Sequence, residues 1–140
     1  MRRHDPGARI EGVLVQEMVR DAVEVILGIV NNPQFGPAIM FGLGGIFTEV
    51  LKDVSFRFAP VSPGAALEMI REIKGYRILE GVRGRERVDV DALAATITTL
   101  SAIAIDLKDE VAALDVNPLF VFPRSGGTKA GDALIVRSSG

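Results

Sequence analysis

The sequence predicts an α+β domain, in which a mainly antiparallel sheet carries two helices packed on one face. Short apolar runs follow one another closely in the first 58 residues and again after residue 110. Such closely spaced strands favour antiparallel pairing, because parallel strands need long crossover connections. Between the two groups, two segments show the three- and four-residue spacing of amphipathic helices. The 140 residues are enough for one domain with its own core.

Composition and charge exclude several classes of protein. The net charge of −2 argues against a nucleic-acid-binding protein, since that function needs a concentrated basic surface. The absence of cysteine excludes disulfides, thiol catalysis and thiolate metal sites. No apolar run reaches the ~20 residues of a membrane span, and the N-terminus lacks the apolar core of a signal peptide. We therefore expect a cytoplasmic protein without membrane contact.

The first half of the domain is expected to contain four strands. Residues 1–9 are polar and include Pro6 and Gly7, so we expect a flexible lead-in to a domain over residues 10–140. The single histidine, His4, lies in this lead-in and is expected to be a passive surface residue. Asn31-Asn32-Pro33 is a strong turn signal. The four strands are expected at 12–19, 22–30, 38–41 and 54–58.

The strand at 54–58 alternates apolar and polar side chains, as a half-buried strand does. This alternation places Val54, Phe56 and Phe58 on one face of the sheet and leaves Ser55 and Arg57 on the other. We therefore expect the aromatic face to be the buried one.

Two helices are expected in the middle of the chain. Ser62 and Pro63 are typical of the cap and first position of a helix, which Gly75 would end. A second helix is expected to start at Asp89 or Asp91. Its apolar positions alternate steps of four and three residues: Leu93, Ile97, Leu100, Ala104 and Leu107. Two final strands, at about 111–121 and 132–137, would close the domain.

The stretch from residue 113 to 121 is apolar except for Asp115 and Asn117. Because strand side chains alternate between faces, these two oxygen-bearing groups must share one face. If that face were buried, each would need a partner, at a cost of about 1–3 kcal/mol if it were left unsatisfied. A hairpin through the following glycine-containing loop would bring Asp132 beside Asn117. The sequence therefore predicts a site for a hard cation such as Mg²⁺ at Asn117 and Asp132.

Three further patterns each admit two interpretations. Gln16, Glu17 and Glu24 interrupt apolar strands; they either border an adenine and its ribose or mark the solvent face of a hairpin, which the residues alone favour. Gly42-Leu-Gly-Gly45 either allows a phosphate to approach the backbone or forms a turn between strands. Four arginines before the second helix either bind phosphate or carboxylate groups or form a solvated loop, and the interspersed Glu80 and Glu86 favour the loop. The arginines are Arg77, Arg83, Arg85 and Arg87.

Six short motifs, taken in order, point to a known family. They are Gly12-Val-Leu-Val-Gln-Glu-Met18, Glu24-Val-Ile-Leu-Gly28, Asn32-Pro-Gln-Phe-Gly-Pro37, Met40-Phe-Gly-Leu-Gly-Gly45, Glu49-Val-Leu-Lys-Asp53 and Asp115-Val-Asn-Pro118. From about residue 8 to residue 136 the chain resembles the ATP-grasp region of NDP-forming acyl-CoA synthetases, which are relatives of the succinyl-CoA synthetase β subunit. The resemblance implies that the chain is the C-terminal ATP-grasp subdomain, without the first subdomain.

The resemblance also implies roles for individual residues. The segment Gln16, Glu17 and Val19 would border the adenine of ATP or ADP, although Gln16 departs from the glutamate of the succinyl-CoA synthetase relatives. Glu24 would face the nucleotide. Asn117 and Asp132 would be the direct Mg²⁺ ligands, which leaves Asp115 a supporting role. Arg57 is a further candidate for the phosphates.

The family's reaction converts an acyl-CoA, phosphate and ADP to and from an acid, CoA and ATP through a phosphorylated histidine. That histidine belongs to another domain or subunit, and His4 does not match its context. The resemblance therefore implies a partner that carries the phosphohistidine, and little or no catalysis by this chain alone. The alternative is a non-catalytic module, like those fused to protein acetyltransferases, which senses nucleotide or forms homo-oligomers.

Overall fold

The computed structural model describes residues 7–45 and 52–139. Its elements form a mostly antiparallel six-stranded sheet and, within the described residues, three helices. His4 and the first part of the Glu49–Asp53 motif lie outside the described residues. The elements in chain order are β1 (Val23–Asn32), β2 (Gly36–Leu43), β3 (Val54–Phe58), α1 (Pro63–Glu72), α2 (Tyr76–Glu80), α3 (Val90–Asp106), β4 (Val111–Val121), β5 (Thr128–Ala130) and β6 (Ala133–Arg137).

The sheet has the strand order β3-β2-β1-β4-β5, and all its pairs are antiparallel. The central pairing joins β1 to β4, two strands that lie far apart in sequence, with Val23 opposite Val121. Strands β5 and β6 share the other edge of β4: β5 pairs with its end and β6 with its first half. The α+β prediction with a mainly antiparallel sheet is thus confirmed.

Both long helices begin at the predicted caps. The Ser62 hydroxyl accepts a hydrogen bond from the Ala65 N–H at 3.2 Å, and the Asp89 carboxylate accepts one from the Ala92 N–H at 3.0 Å. These bonds satisfy N–H groups that have no partner inside the helix. The apolar stripes of α1 and α3 pack with the inner face of the sheet into one core, which includes Ile70, Leu93, Ile97, Val25, Phe41 and Val121.

The extra helix α2 falls at the start of the segment predicted to be a basic loop. It contains a single buried side chain, Leu79, which anchors it to the core. With only five residues, α2 is too short to show the apolar spacing that identified the two longer helices. No helix in the described ranges is long and apolar enough to cross a membrane.

The prediction for the faces of β3 is wrong. Ser55 is 2% exposed and its hydroxyl donates a hydrogen bond to the Met69 carbonyl of α1 at 2.9 Å, whereas Phe56 and Phe58 are more than half exposed. Helix α1 covers the serine face, where a small hydroxyl fits against the helix backbone. The alternation therefore separates the two faces of β3 correctly. The face that the helices cover is the serine face, whereas the aromatic face was expected to be covered.

The expected strand at 12–19 is absent. Residues 8–20 form no helix or strand in the described structure, and Ile10, Val13, Leu14, Val15 and Met18 are 77–89% exposed. A strand requires a neighbour for its backbone hydrogen bonds, and no described strand pairs with this stretch. The first paired strand is β1.

Candidate nucleotide and metal site

A β-bulge determines which side chains of β4 face outward. Leu27 pairs with Val116 but Val25 pairs with Leu119, so β4 contains one extra residue around Asn117 and Pro118. Because of this extra residue, the alternation of inward and outward side chains shifts by one position. Leu114 faces the core before the bulge and Leu119 faces it after the bulge. Asp115 and Asn117 lie on the outer face, which the helices leave uncovered, and both are exposed. The assumption that this face is buried is therefore wrong.

The register of β4 with β6 brings Asn117 and Asp132 together. Val116 pairs with Ala133, and the Asn117 N–H donates to the Asp132 carbonyl at 3.1 Å. One carboxylate oxygen of Asp132 accepts the Ala133 N–H at 2.8 Å, which fixes the side chain at the start of β6. The structure thus places Asn117 on β4 next to Asp132, the residue before β6, so the two predicted metal ligands lie close together as expected. Asp115 lies two residues earlier, opposite Leu134.

The donor set at this position suits Mg²⁺ better than a metal held entirely by protein. Within residues 7–45 and 52–139, no group of three or more His, Cys, Asp or Glu side chains is arranged to hold a metal ion. Mg²⁺ commonly takes one or two protein oxygens and fills its remaining positions with water and substrate phosphates. Asn117 and Asp132, both exposed, can supply these oxygens.

A cleft of about 790 Å³ opens beside Asp132. Its walls come from two parts of the chain: the N-terminal stretch with the start of β1, and the region from the end of β4 to β6. All four residues predicted to contact the nucleotide line it, namely Gln16, Glu17, Val19 and Glu24, together with Asp132. The other lining residues are Leu14, Met18, Pro118, Phe120, Lys129, Ala130 and Gly131. Asn117 is next in sequence to the lining residue Pro118.

Glycines at the cleft allow parts of the chain to approach closely. A Cβ on Gly131 would lie 2.6 Å from a ring atom of Phe120 and 3.0 Å from Pro118, which is closer than real contacts allow. Gly44 donates its N–H to the Glu24 carbonyl at 2.8 Å, so the Gly42-Leu-Gly-Gly45 segment lies against Glu24. The glycine segment therefore forms the end of β2 and a turn that supports one cleft residue.

Lys129 is a cleft residue that sequence reasoning missed. Its ammonium group donates to the Glu17 carboxylate at 2.7 Å, and within residues 7–45 and 52–139 it is the only cation that lines the cleft. It lies on β5, a strand of three residues that was not predicted. The one available signal was its place three residues before Asp132, in a strand-length segment after two glycines.

The arginines that were candidates for binding phosphate are not among the described residues that line the cleft. Arg57 forms an ion pair with Glu72 of α1 at 2.6 Å, on the face of the sheet opposite to Asp115 and Asn117. In the arginine-containing segment before α3, which was expected to be a solvated loop, Glu86 forms an ion pair with Arg124. Arg87 lines a separate cavity of about 460 Å³ at the start of α3, which shares no lining residue with the nucleotide cleft.

Comparison with known proteins agrees with this fold. The family model for the ATP-grasp domain matches residues 1–136. The chain is 47% identical over 135 residues to the β subunit of ADP-forming acetate–CoA ligase II of Pyrococcus furiosus, covering 96% of this chain and 57% of that subunit. It is 54% identical over 117 residues to ADP-forming acetate–CoA ligase I of Archaeoglobus fulgidus, covering 84% of this chain and 17% of the ligase.

A solved structure shares the fold at similar identity. It is the dinucleotide-forming acetyl-coenzyme A synthetase 1 of Ca. Korarchaeum cryptofilum, in complex with coenzyme A and Mg-AMPPCP and with its phosphohistidine segment pointing towards the nucleotide binding site. The TM-score is 0.81 at 43% identity, covering 88% of this chain and 56% of that one.

The antiparallel sheet with helices on one side matches the fold of ATP-grasp subdomains in the solved relatives. The chain belongs to the ATP-grasp family. It resembles components of ADP-forming acetate–CoA ligases and spans about half the length of the β subunit that it matches.

Proposed function

We propose that this chain is the nucleotide- and magnesium-binding part of an NDP-forming acyl-CoA synthetase. That enzyme would interconvert an acyl-CoA, ADP and phosphate with a carboxylic acid, CoA and ATP. One observation carries the proposal: a single cleft collects Gln16, Glu17, Val19 and Glu24 from one end of the chain and Asp132 from the other. The relatives, ADP-forming acetate–CoA ligases, support the same activity.

The cleft offers complementary groups to ATP or ADP. Leu14, Met18, Val19 and Phe120 supply apolar surface for the adenine ring, while Gln16 and the backbone beside it supply hydrogen-bonding groups. Glu24 and Glu17 supply carboxylates that can accept hydrogen bonds from ribose hydroxyls.

Asn117 and Asp132 would hold Mg²⁺ at the side of the cleft where the phosphates lie. When bound, Mg²⁺ would supply positive charge that neutralises the negative charge developing during phosphoryl transfer. The two residues suit this role because one is a neutral amide and the other a carboxylate already oriented by the Ala133 N–H. Asp115, exposed on the same face, can accept hydrogen bonds from water around the ion.

Catalysis would require a partner domain or subunit that carries the phosphohistidine. Phosphoryl transfer depends mainly on positioning and on preorganised charge, and this chain supplies one wall of the site. A cytoplasmic location stays a prediction from the sequence, which fractionation of cells that express the native gene would test.

Calorimetric titration with Mg-ATP tests the proposal. We expect the wild-type chain to bind, and Asn117→Ala combined with Asp132→Ala to weaken binding by at least about tenfold, equivalent to ~1.4 kcal/mol. Titration with ATP in EDTA should show a much smaller difference between the two proteins, since the substituted groups act through the metal.

Asp109→Ala is the matched control, because it removes an exposed carboxylate that does not line the cleft. It should bind Mg-ATP as the wild type does. Absence of binding by a folded wild-type chain, or equal binding by the double variant, would contradict the proposal. If such a chain instead formed a stable dimer in light scattering, the alternative interaction module would be favoured.

A further inference from the structure

One wall of the nucleotide cleft is held by very few contacts. The N-terminal segment, defined here as residues 9–20, contains no helix or strand and supplies five of the twelve described residues that line the cleft. Among the described backbone hydrogen bonds outside helices and strands, none joins this segment to the sheet. Most of its large apolar side chains are exposed. The position of this wall therefore depends on side-chain contacts.

Among the described residues, the ion pair between Glu17 and Lys129 is the polar side-chain contact that joins this segment to the sheet. Its 2.7 Å separation is that of a charge-assisted hydrogen bond. Lys129 belongs to β5, where it pairs with Phe120 of β4, and β4 is the strand that carries Asn117. The bond thus connects the adenine side of the cleft to the strands that present the metal ligands.

The charges of the described lining residues leave the Glu17 carboxylate one cationic neighbour. Among these residues the carboxylates are Glu17, Glu24 and Asp132, and Lys129 is the sole cation. Without Lys129, the Glu17 carboxylate would share the cleft with the carboxylates of Glu24 and Asp132 and with no cation among the described lining residues. Like charges would then favour outward displacement of the N-terminal segment.

We propose that Lys129 is a positioning residue, which holds Glu17 and with it the N-terminal segment against β5 so that the nucleotide meets a formed wall. This inference rests on the proposed function for its consequence, since the wall matters only if a nucleotide binds there. Exposed ion pairs contribute little to global stability. The effect of Lys129 is therefore expected on the geometry of the cleft and on nucleotide affinity, and hardly at all on unfolding.

The first test measures the position of the N-terminal segment without nucleotide. The chain contains no cysteine, so spin labels on Val15→Cys and Ala102→Cys would report one distance, between the segment and α3. Both sites are exposed and outside the cleft. We expect a narrow distance distribution, clear broadening with Lys129→Ala, and recovery with Lys129→Arg or with the exchange Lys129→Glu plus Glu17→Lys.

The second test measures Mg-ATP affinity. Lys129→Ala should weaken binding about three- to fivefold, the range expected when an exposed ion pair is lost, and Lys129→Arg should restore it. Arg124→Ala is the matched control, because it breaks an exposed ion pair with Glu86 away from the cleft. It should change neither the affinity nor the distance distribution.

The two tests separate the inference from the proposed function. An unchanged distance distribution in Lys129→Ala overturns the positioning role, even if the wild type binds Mg-ATP. Broadening without loss of affinity shows that the segment is held but is irrelevant to the nucleotide, which also overturns it. If the wild type fails to bind Mg-ATP, the proposed function and the nucleotide role fall together, while the distances still show whether Lys129 holds the segment.

Discussion

At the residue scale, the cleft depends on positions where a side chain is missing. Gly131 lies between Lys129 and Asp132 in sequence, directly against Phe120 and Pro118. Its N–H donates to the Pro118 carbonyl at 2.8 Å, which closes the turn between β5 and β6 onto β4. Any larger residue must displace a wall of the cleft.

We predict that Gly131→Ala weakens Mg-ATP binding and destabilises the domain by about 1–3 kcal/mol, because its methyl group would overlap Phe120 and Pro118. Chemical denaturation and calorimetry would measure the two effects. Gly64→Ala is the control: nothing lies within 4 Å of its Cβ and it occupies the first turn of α1, so it should be neutral or slightly stabilising. Equal effects of the two substitutions would contradict the explanation.

Single residues also show which parts of the candidate site and the fold could be predicted from the sequence. Strand alternation and the length of the loop predict that Asn117 and Asp132 lie close together. Both are local properties of the sequence, and the register of β4 with β6 agrees with them. Ser55 and Phe56 were assigned to the wrong sides because alternation separates two faces without indicating which one a helix covers. Lys129 was missed because a single lysine in a strand of three residues has no periodic signal.

At the scale of single elements, α3 connects the core to the loop before β5. Its cap residue, Asp89, accepts the Ala92 N–H at 3.0 Å with one oxygen and the Gly127 N–H at 3.0 Å with the other. The second bond ties the start of the helix to the loop that follows β4. One carboxylate therefore fixes both the start of α3 and the loop that leads into β5, the strand that carries Lys129.

We predict that Asp89→Ala destabilises the domain by about 2 kcal/mol, since it removes a helix cap and leaves the Gly127 N–H without its partner. Thermal or urea unfolding would measure the loss. Asp91→Ala, in the same first turn but exposed, should cost well under 1 kcal/mol through the helix dipole alone. A loss for Asp91→Ala as large as that for Asp89→Ala would argue against the specific role of the cap.

Element prediction succeeded for α1 and α3, where periodicity and capping agreed, and for β4, whose apolar run is long. It failed at residues 12–19, whose apolar pattern is typical of a strand although no described strand pairs with it. A sequence pattern records the preference of a segment, whereas a strand also needs a neighbour, and the neighbour is a property of the whole fold. The short elements α2 and β5 are positioned by tertiary contacts and have no pattern of their own.

At the scale of the whole molecule, one face of the sheet is covered by helices and the other is open. The helix-covered face contains the core, and the open face presents Asp115, Asn117 and the exposed aromatic rings of Phe56 and Phe58. The tilted rings of Phe35 and Phe58 lie 5.8 Å apart at the edge of this face. The proposed nucleotide and metal residues therefore lie on or beside the open face, and the packed core lies on the other side of the sheet.

We predict that the 140-residue chain alone forms no ATP from acetyl-CoA, ADP and phosphate at a rate above background. The physical reason is that one wall cannot position both the phosphoryl donor and its acceptor. A coupled luminescence assay would measure ATP, and an intact ADP-forming acetate–CoA ligase under the same conditions would be the positive control. Robust synthesis by this chain alone would overturn the prediction.

The pairing of β1 with β4 has a consequence for the order of folding. These strands come from opposite ends of the domain, so their contact closes a long loop, and such contacts form late because the entropy of closure must be overcome first. The cleft uses both ends of the chain, from Gln16 to Asp132. During synthesis the helical layer can begin to form well before any cleft exists, and a bound nucleotide would therefore report that folding of the domain is complete.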